Sequence, residues 1–425
     1  MINNYPVQDI HPRTTVEALR REFPPAELRR AFDLDLVAAL CGMQPAYVRR
    51  ALEKPNLTEV TLQEVLILLD LDAFAETFVP RSKVPGFLLR LAPRPVPPIL
   101  RWDGDHGFFV GSALDLLERI TPNSVQCVVT SPPYWGTRLY GQHVAVHWAD
   151  DEICPFGHEQ TPEAFLRHTT ELLYRLKSRL SESGSVWWNL MDTYNTRTQI
   201  RQNAAETLHA MQGKDKRGWS NYTCRRYSAG HSFLKDGEQC LIPGRTAERA
   251  ARIGYYVKSI VTWKKTGSMP ETVETRVTRE LEYVIHLSRR RNPFFDKAAY
   301  LRLPANLGGR NPQFEAKKLT DVWSLPTSSG TEGHGAQFPI ALPGRCIALT
   351  SELGDLVLDL FLGSGNTSVA AARLGRKSLG FDVAEEYLEI ARRKTKAATT
   401  GRLPRNSIKA VETLEMELLQ RASGE

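Results

Sequence analysis

From about residue 100 onward, short apolar runs alternate with amphipathic stretches, and this alternation restricts the possible folds more than any other feature of the chain. Seven runs read as strands: HGFFVG (106–111), SVQCVVT (124–130), SVWWNL (185–190), YYVKSIVTW (255–263), LEYVIHL (281–287), DLVLDLF (355–361) and SLGFDV (378–383). Between them, TPEAFLRHTTELLYRLKSRL (161–180) and NTSVAAARLG (366–375) have helical spacing. Strands that alternate with helices imply an α/β fold, a doubly wound and mostly parallel sheet. SVQCVVT is apolar almost throughout, as a strand buried on both faces must be.

The preceding residues follow another pattern. Residues 1–80 read as a helical module, and 81–100 as a proline-rich linker, since PRSKVPGFLLRLAPRPVPP (80–98) has many fixed φ angles and missing N–H groups. Inside the module, DLVAALCGMQPAYVRRALEKP (35–55) resembles a helix-turn-helix, with Ala38 at the helix crossing, Gly42 in the turn and Val48 inside the second helix. That reading puts Arg49 and Arg50 near DNA; an ordinary helical hairpin satisfies the same spacing. Residues 101–400 form the expected main domain and 401–425 a C-terminal tail.

Composition excludes several classes. No apolar run reaches the roughly 18 residues of a membrane span, and the opening MINNYPVQDIHPR has no signal-peptide core, so a cytoplasmic protein is expected. The six cysteines include no CxxC pair and read as reduced thiols; Cys154 and His158 in CPFGH lack a second pair to complete a zinc site, so no metal is expected. The net charge of +7 is modest. Its distribution is more telling, because residues 194–235 hold eight Lys/Arg against two acids, interleaved with Trp219, Tyr222, Tyr227 and Phe233. Positive charge with stackable rings suits a nucleic-acid contact, with Arg225 and Arg226 as phosphate candidates, although a solvated surface loop has the same composition.

DLVLDLFLGSGNTSVAAARLGRKSLGFDV (355–383) reads as strand, glycine turn, helix and a second strand ending in Asp382. The turn lets a ligand approach backbone N–H groups at a helix N-terminus, and the acid suits two ribose hydroxyls. A dinucleotide would satisfy both features. The third glycine of GxGxxG is replaced by Ser368, however, which favours S-adenosylmethionine, a ribose-bearing ligand without a pyrophosphate.

The run TSPPYW (130–135) ends a core strand with a hydroxyl, two prolines and two rings. Ser131 Oγ and the carbonyl near Pro132, whose direction the consecutive prolines fix, are hydrogen-bond acceptors, Tyr134 offers a ring face, and Trp135 reads as packing. TSPPYW, DLFLGSGNT, HGAQFPIALPGRCI (334–347), GSVWWNLMDTY (184–194) and WKKTGSMPETVETRVTRELEYVIHLSR (263–289) together resemble segments of the amino-methylating DNA methyltransferases, cytosine-N4 and adenine-N6. The likeness spans about residues 105–395, with the catalytic motif before the cofactor loop, the order of the family's β group.

The resemblance implies a seven-stranded sheet of the S-adenosylmethionine-dependent methyltransferase type. It implies catalytic roles for Ser131, Pro132, Pro133 and Tyr134, since an exocyclic aromatic amine is a poor nucleophile that needs acceptors such as Ser131 Oγ and the carbonyl near Pro132, and a flipped base needs a face such as Tyr134. It implies cofactor contacts from Phe338, Asp359, Phe361, Gly363, Ser364, Gly365, Asn366, Thr367, Asp382 and Val383. In VGSALDLLERI (110–120), Ser112 stands where the family often has an acid, which puts a cofactor contact there in doubt. A serine-headed tetrapeptide implies cytosine N4 in duplex DNA as the target, with adenine N6 as the alternative, and a DNA-binding regulator with a vestigial transferase fold as a third reading. Target selection is expected from 296–333 and from the basic insertion 194–243. A bacterial or phage origin is implied, as monomer or homodimer, with a companion restriction endonuclease left open.

Overall fold

The structure, a computed structural model, describes residues 21–70, 79, 83–91, 98–136, 144–195, 198–199, 225–226, 234–235, 237–266, 275–328 and 337–400. Its main sheet consists of β1 (His106–Val110), β2 (Val125–Thr130), β3 (Leu180–Leu190), β4 (Tyr256–Thr266), β5 (Leu281–Ser288), β6 (Val322–Pro326), β7 (Leu356–Asp359) and β8 (Lys377–Asp382). Across the sheet the order is β6-β4-β5-β3-β2-β7-β8-β1. Only β5 runs antiparallel to its neighbours; the remaining pairs are parallel. All seven strands expected from the sequence are present. The eighth, β6, corrects the expected number. It ends in Pro326 and pairs only with β4, as an edge strand containing proline must.

Alternation along the central strands feeds two cores. Val125 and Val128 of β2, Val186 and Trp188 of β3 and Leu358 of β7 pack on one face, with Phe165 and Leu172 of the helix Pro162–Lys177. Cys127, Val129, Trp187 and Val357 point the other way, against Leu342 and Ile347 of the helix Ala341–Thr350 and Ala370 of the helix Asn366–Arg373. Both faces being covered explains why these strands read as unbroken apolar runs.

The N-terminal residues join the first core. Phe32, Leu36, Val37, Val48 and Leu66 are buried in the same cluster as Val125 and Trp188. Leu34–Leu40 and Pro45–Ala51 are helices joined through Gly42 at φ +68°, beside a short antiparallel ladder of Ala31–Asp33 with Glu59–Thr61. The expected linker needs correction. Val84–Leu91 is a helix whose Val84, Phe87 and Leu88 are buried in that cluster. Pro85 sits in its first turn, where a missing N–H costs no intrahelical bond.

The expected insertion 296–333 is likewise built into the fold over its described part. It supplies β6 and is anchored by Arg345, which is fully buried and pairs with Glu315 at 2.7 and 2.8 Å while lying over the rings of Tyr300 and Trp323. Of the basic insertion, Arg225–Arg226 pairs as a short antiparallel ladder with Thr198–Gln199, and most of the remainder lies outside the described residues. The tail 401–425 also lies outside them. Among the described residues, no helix is long and apolar enough to cross a membrane.

Candidate active site

β2 continues through the helix Pro162–Lys177 to β3 on one side, while β7 continues through Asn366–Arg373 to β8 on the other. The two starting strands are neighbours, with Cys127 opposite Val357 and Val128 opposite Leu358. Ligands bind in doubly wound sheets at such a switch point, beyond the carboxyl ends of the strands. A cavity of about 580 Å³ opens there, a volume suited to a small-molecule ligand. Gly111 and Ser112 after β1, Ser131 and Pro133 after β2, Leu360 to Ser364 after β7, and Asp382 to Ala384 after β8 all line it.

Its first half is built around Asp382. One carboxylate oxygen accepts from Gly363 N at 2.8 Å and the other from Ala384 N at 3.0 Å, so the acid fixes the glycine turn. Burial pushes its carboxyl pKa up, while the N–H groups of Ala384, Gly363 and Val383 favour the charged form. Gly365 has φ +89°, and a Cβ there would lie 2.5 Å from Ala391 Cβ, so only glycine lets the turn sit on the helix Glu385–Thr399. Asn366 donates to Phe338 O at 2.8 Å, and Ser364 Oγ donates to Gln337 Oε1, tying the turn to the segment before Ala341. Phe338, Phe361, Ser364, Asn366 and Val383, named from the sequence as cofactor candidates, line the cavity.

Asp359, Gly365 and Thr367 are not among its lining residues. Asp359 is buried and accepts from Thr130 Oγ1 at 2.7 Å, Thr367 Oγ1 at 2.6 Å and Phe361 N at 3.1 Å. It therefore clamps the strand that carries Ser131 to the helix that follows the glycine turn. Burial raises its pKa to about 6 against those three donors. Ser112 caps the helix Ala113–Leu117 by accepting from Asp115 N at 3.2 Å, and donates to the Asp115 carboxylate at 2.7 Å.

The second half surrounds Ser131. Its hydroxyl donates to Tyr134 Oη at 3.2 Å, and Tyr134 Oη donates in turn to Glu282. Asn189 Nδ2 donates to Tyr134 Oη at 2.7 Å and to Glu282 Oε2 at 2.8 Å, and lies 3.4 Å from Ser131 Oγ. Lys265 holds the other carboxylate oxygen of Glu282 at 3.3 Å. The antiparallel β5 explains the convergence: its N-terminal Glu282 lies at the same end of the sheet as the C-terminal ends of β2 and β3. In the sequence Tyr134 is legible only as a ring face, and nothing there marks Asn189 or Glu282 as its partners. An antiparallel strand between parallel ones leaves no local signal.

The wall facing the cofactor turn is braced from behind. Gly157 (φ +89°) lies so close to Pro133 that an added Cβ would come within 2.9 Å of its ring, and Gly136 N donates to Gly157 O at 2.9 Å. Trp135 is buried and donates to Glu159 O at 2.9 Å. His168, fully buried, lies between Glu159 at 3.0 Å and Asp150 at 3.1 Å and stacks at 4.2 Å on Trp148, which lines the cavity. Burial alone would lower the ring's pKa, but the two carboxylates outweigh it and hold it up at about 9. With a carboxylate oxygen against each ring nitrogen, both nitrogens are placed to donate, the arrangement that favours an imidazolium. Cys154, Glu159 and His168 bring donor atoms within 4.8 Å of one another, as do Asp150, Glu152 and His168. Both nitrogens of the histidine are already held by carboxylates, so charge pairing accounts for this cluster.

Comparison with known proteins identifies the chain. Residues 125–393 match the model of a family described as DNA methylase, of the N6/N4 type. The chain belongs to this family. It is 31% identical over 283 residues to the type II methyltransferase M.Cfr9I of Citrobacter freundii, covering 67% of this chain and 85% of that protein. It is also 31% identical to the type II methyltransferase M.XycI of Xanthomonas campestris pv. cyanopsidis, over 70% and 89% of the two chains. Among solved structures, the cytosine-N4-specific PvuII DNA methyltransferase superposes with a TM-score of 0.47 at 18% identity, over 68% of this chain and 86% of that one.

As a DNA methylase the chain uses S-adenosylmethionine. The cavity has the size and the mixed lining such a molecule needs, with the carboxylate of Asp382 and the rings of Phe338 and Phe361 among its walls. Of the candidate DNA contacts, Arg50 is exposed beside Tyr47, whereas Arg49 donates through Nε to Leu57 O at 3.0 Å and is partly committed to the fold.

Proposed function

We propose that this DNA methylase transfers the methyl group to the exocyclic N4 of a cytosine flipped out of duplex DNA. The observation that carries the reading is Ser131, a hydroxyl rather than a carboxylate, lining the cavity at the end of β2 beside the cofactor turn. When bound, S-adenosylmethionine supplies an electrophilic sulfonium methyl. Ser131 Oγ accepts a hydrogen bond from the amine, and the carbonyl near Pro132 is held ready to accept a second because the consecutive prolines fix its direction. Asp382 holds the ribose, and the Phe338 and Phe361 rings hold the purine. Trp148 and Phe156 also line the cavity, and the Phe156 ring packs against that of Phe361 at 5.2 Å.

Arg225 and Arg226 remain candidates for phosphate contacts, as do Arg49 and Arg50 on the N-terminal helices. A cognate restriction endonuclease is a partner consistent with the type II relatives. The site assignment is tested with Ser131→Ala. Its hydrogen bond strengthens as charge develops on nitrogen, so kcat should fall about 100-fold or more while affinity for DNA changes little. Unchanged kcat would remove Ser131 from the reaction.

A further inference from the structure

We propose that Glu282 is the terminal proton acceptor of the reaction, reached from the substrate amine through the hydroxyls of Ser131 and Tyr134. The inference rests on the reading of Ser131 as the partner of the amine, and it holds for either target base. Transfer forms an N–CH₃ bond as the C–S bond breaks, and leaves the nitrogen with two hydrogens and a positive charge. One proton must then depart. A carboxylate beside the amine could keep it, but a serine hydroxyl cannot, because holding it would leave an oxonium ion. A hydroxyl can pass the proton along only if its own proton has somewhere to go.

The structure supplies that path. Ser131 Oγ donates to Tyr134 Oη at 3.2 Å, and Tyr134 Oη donates to Glu282 Oε2. The amine proton moves to Ser131 Oγ, the serine proton to Tyr134 Oη, and the tyrosine proton to Glu282. Both hydroxyls finish neutral, their hydrogen bonds reversed, and the carboxylate becomes a carboxyl group. Asn189, 1% exposed, donates to both Tyr134 Oη and Glu282 Oε2 and so aligns the last two oxygens. Lys265 pairs with Oε1 and leaves Oε2 to the tyrosine. The titratable groups placed against Glu282 by the described structure are Tyr134, from the turn after β2, and Lys265, from β4.

The test is single-turnover methyl transfer from labelled S-adenosylmethionine to unmodified genomic DNA across a pH series, comparing the parent with Glu282→Gln, Glu282→Asp and Ser131→Ala. Cofactor affinity by calorimetry serves as the control for folding. Glu282→Gln should bind cofactor within about twofold of the parent and transfer about 100-fold more slowly. If the relay operates, the parent's rate should rise with pH across the series, and the glutamine variant should lose that rise. Glu282→Asp should restore part of the rate, and with it the rise. A glutamine variant within about threefold of the parent, or one slowed equally at every pH with the rise retained, would overturn the relay. Should the glutamine variant fail to bind cofactor, the aspartate variant decides, since loss of its rise would equally overturn the relay. Parental rates in Ser131→Ala would instead overturn the underlying site assignment.

Discussion

Asp382 joins the cofactor's expected position to the backbone of the glycine turn, so replacing it with asparagine gives a calculable perturbation. The carboxylate uses one oxygen for Gly363 N at 2.8 Å and the other for Ala384 N at 3.0 Å. Asparagine preserves the volume but provides one acceptor, and its amide must face the other N–H. The lost interactions are charge-assisted hydrogen bonds, each worth about 1.5–3 kcal/mol when a charged group is involved. Loss of one toward the ribose weakens binding by roughly 10- to 150-fold. Titration calorimetry with S-adenosylmethionine measures this directly, and a melting curve without cofactor reports whether the turn itself has been disturbed. An unchanged Kd in a folded variant would mean that Asp382 braces the turn and does not touch the ribose.

Two further consequences follow from packing and charge. The His168 pKa is raised from 6.5 to about 9, so its pairing with Glu159 and Asp150 stabilises the fold fully below pH 6.5, and that contribution is lost as pH rises through 9. The difference in Tm between the parent and His168→Gln should therefore shrink from pH 6.5 to 9.5; a constant difference would show that the ring is held neutral. Deleting residues 1–95 should expose the catalytic core, because Phe87 and Leu88 share a cluster with Val125 and Trp188, and the product should aggregate or melt well below the parent. A soluble truncation with parental Tm would restore the picture of an independent module.

Much of this fold was legible because its central strands are covered on both faces. Strands such as Val125–Thr130 and Leu356–Asp359 announce themselves by apolar continuity, and the glycine turn by Gly363 and Gly365. What escaped had weak local signals. Val84–Leu91 lies among prolines that punctuate a sequence without preventing a helix when one of them falls in its first turn. Val322–Pro326 ends in a residue that argues against a central strand and tolerates an edge. Asn189 and Glu282 meet Ser131 only through the pairing of Val284 with Asn189 and of Tyr283 with Leu190. Asp359 and Thr367 were named from the sequence as cofactor candidates; that they instead sit behind the cavity and clamp it follows only from their bonds to each other and to Thr130.

The measurement that bears most directly on the proposed function is nucleoside mass spectrometry of duplex DNA modified by the protein with S-adenosylmethionine. N4-methylcytosine is the expected product, made without a covalent enzyme–DNA adduct. The nearest cysteine in sequence, Cys127, lies buried within β2, its thiol pushed up to about 12 by that burial, and cannot serve as a ring-attacking nucleophile. N6-methyladenine alone would contradict the cytosine assignment and leave the amine chemistry standing, whereas 5-methylcytosine would contradict both.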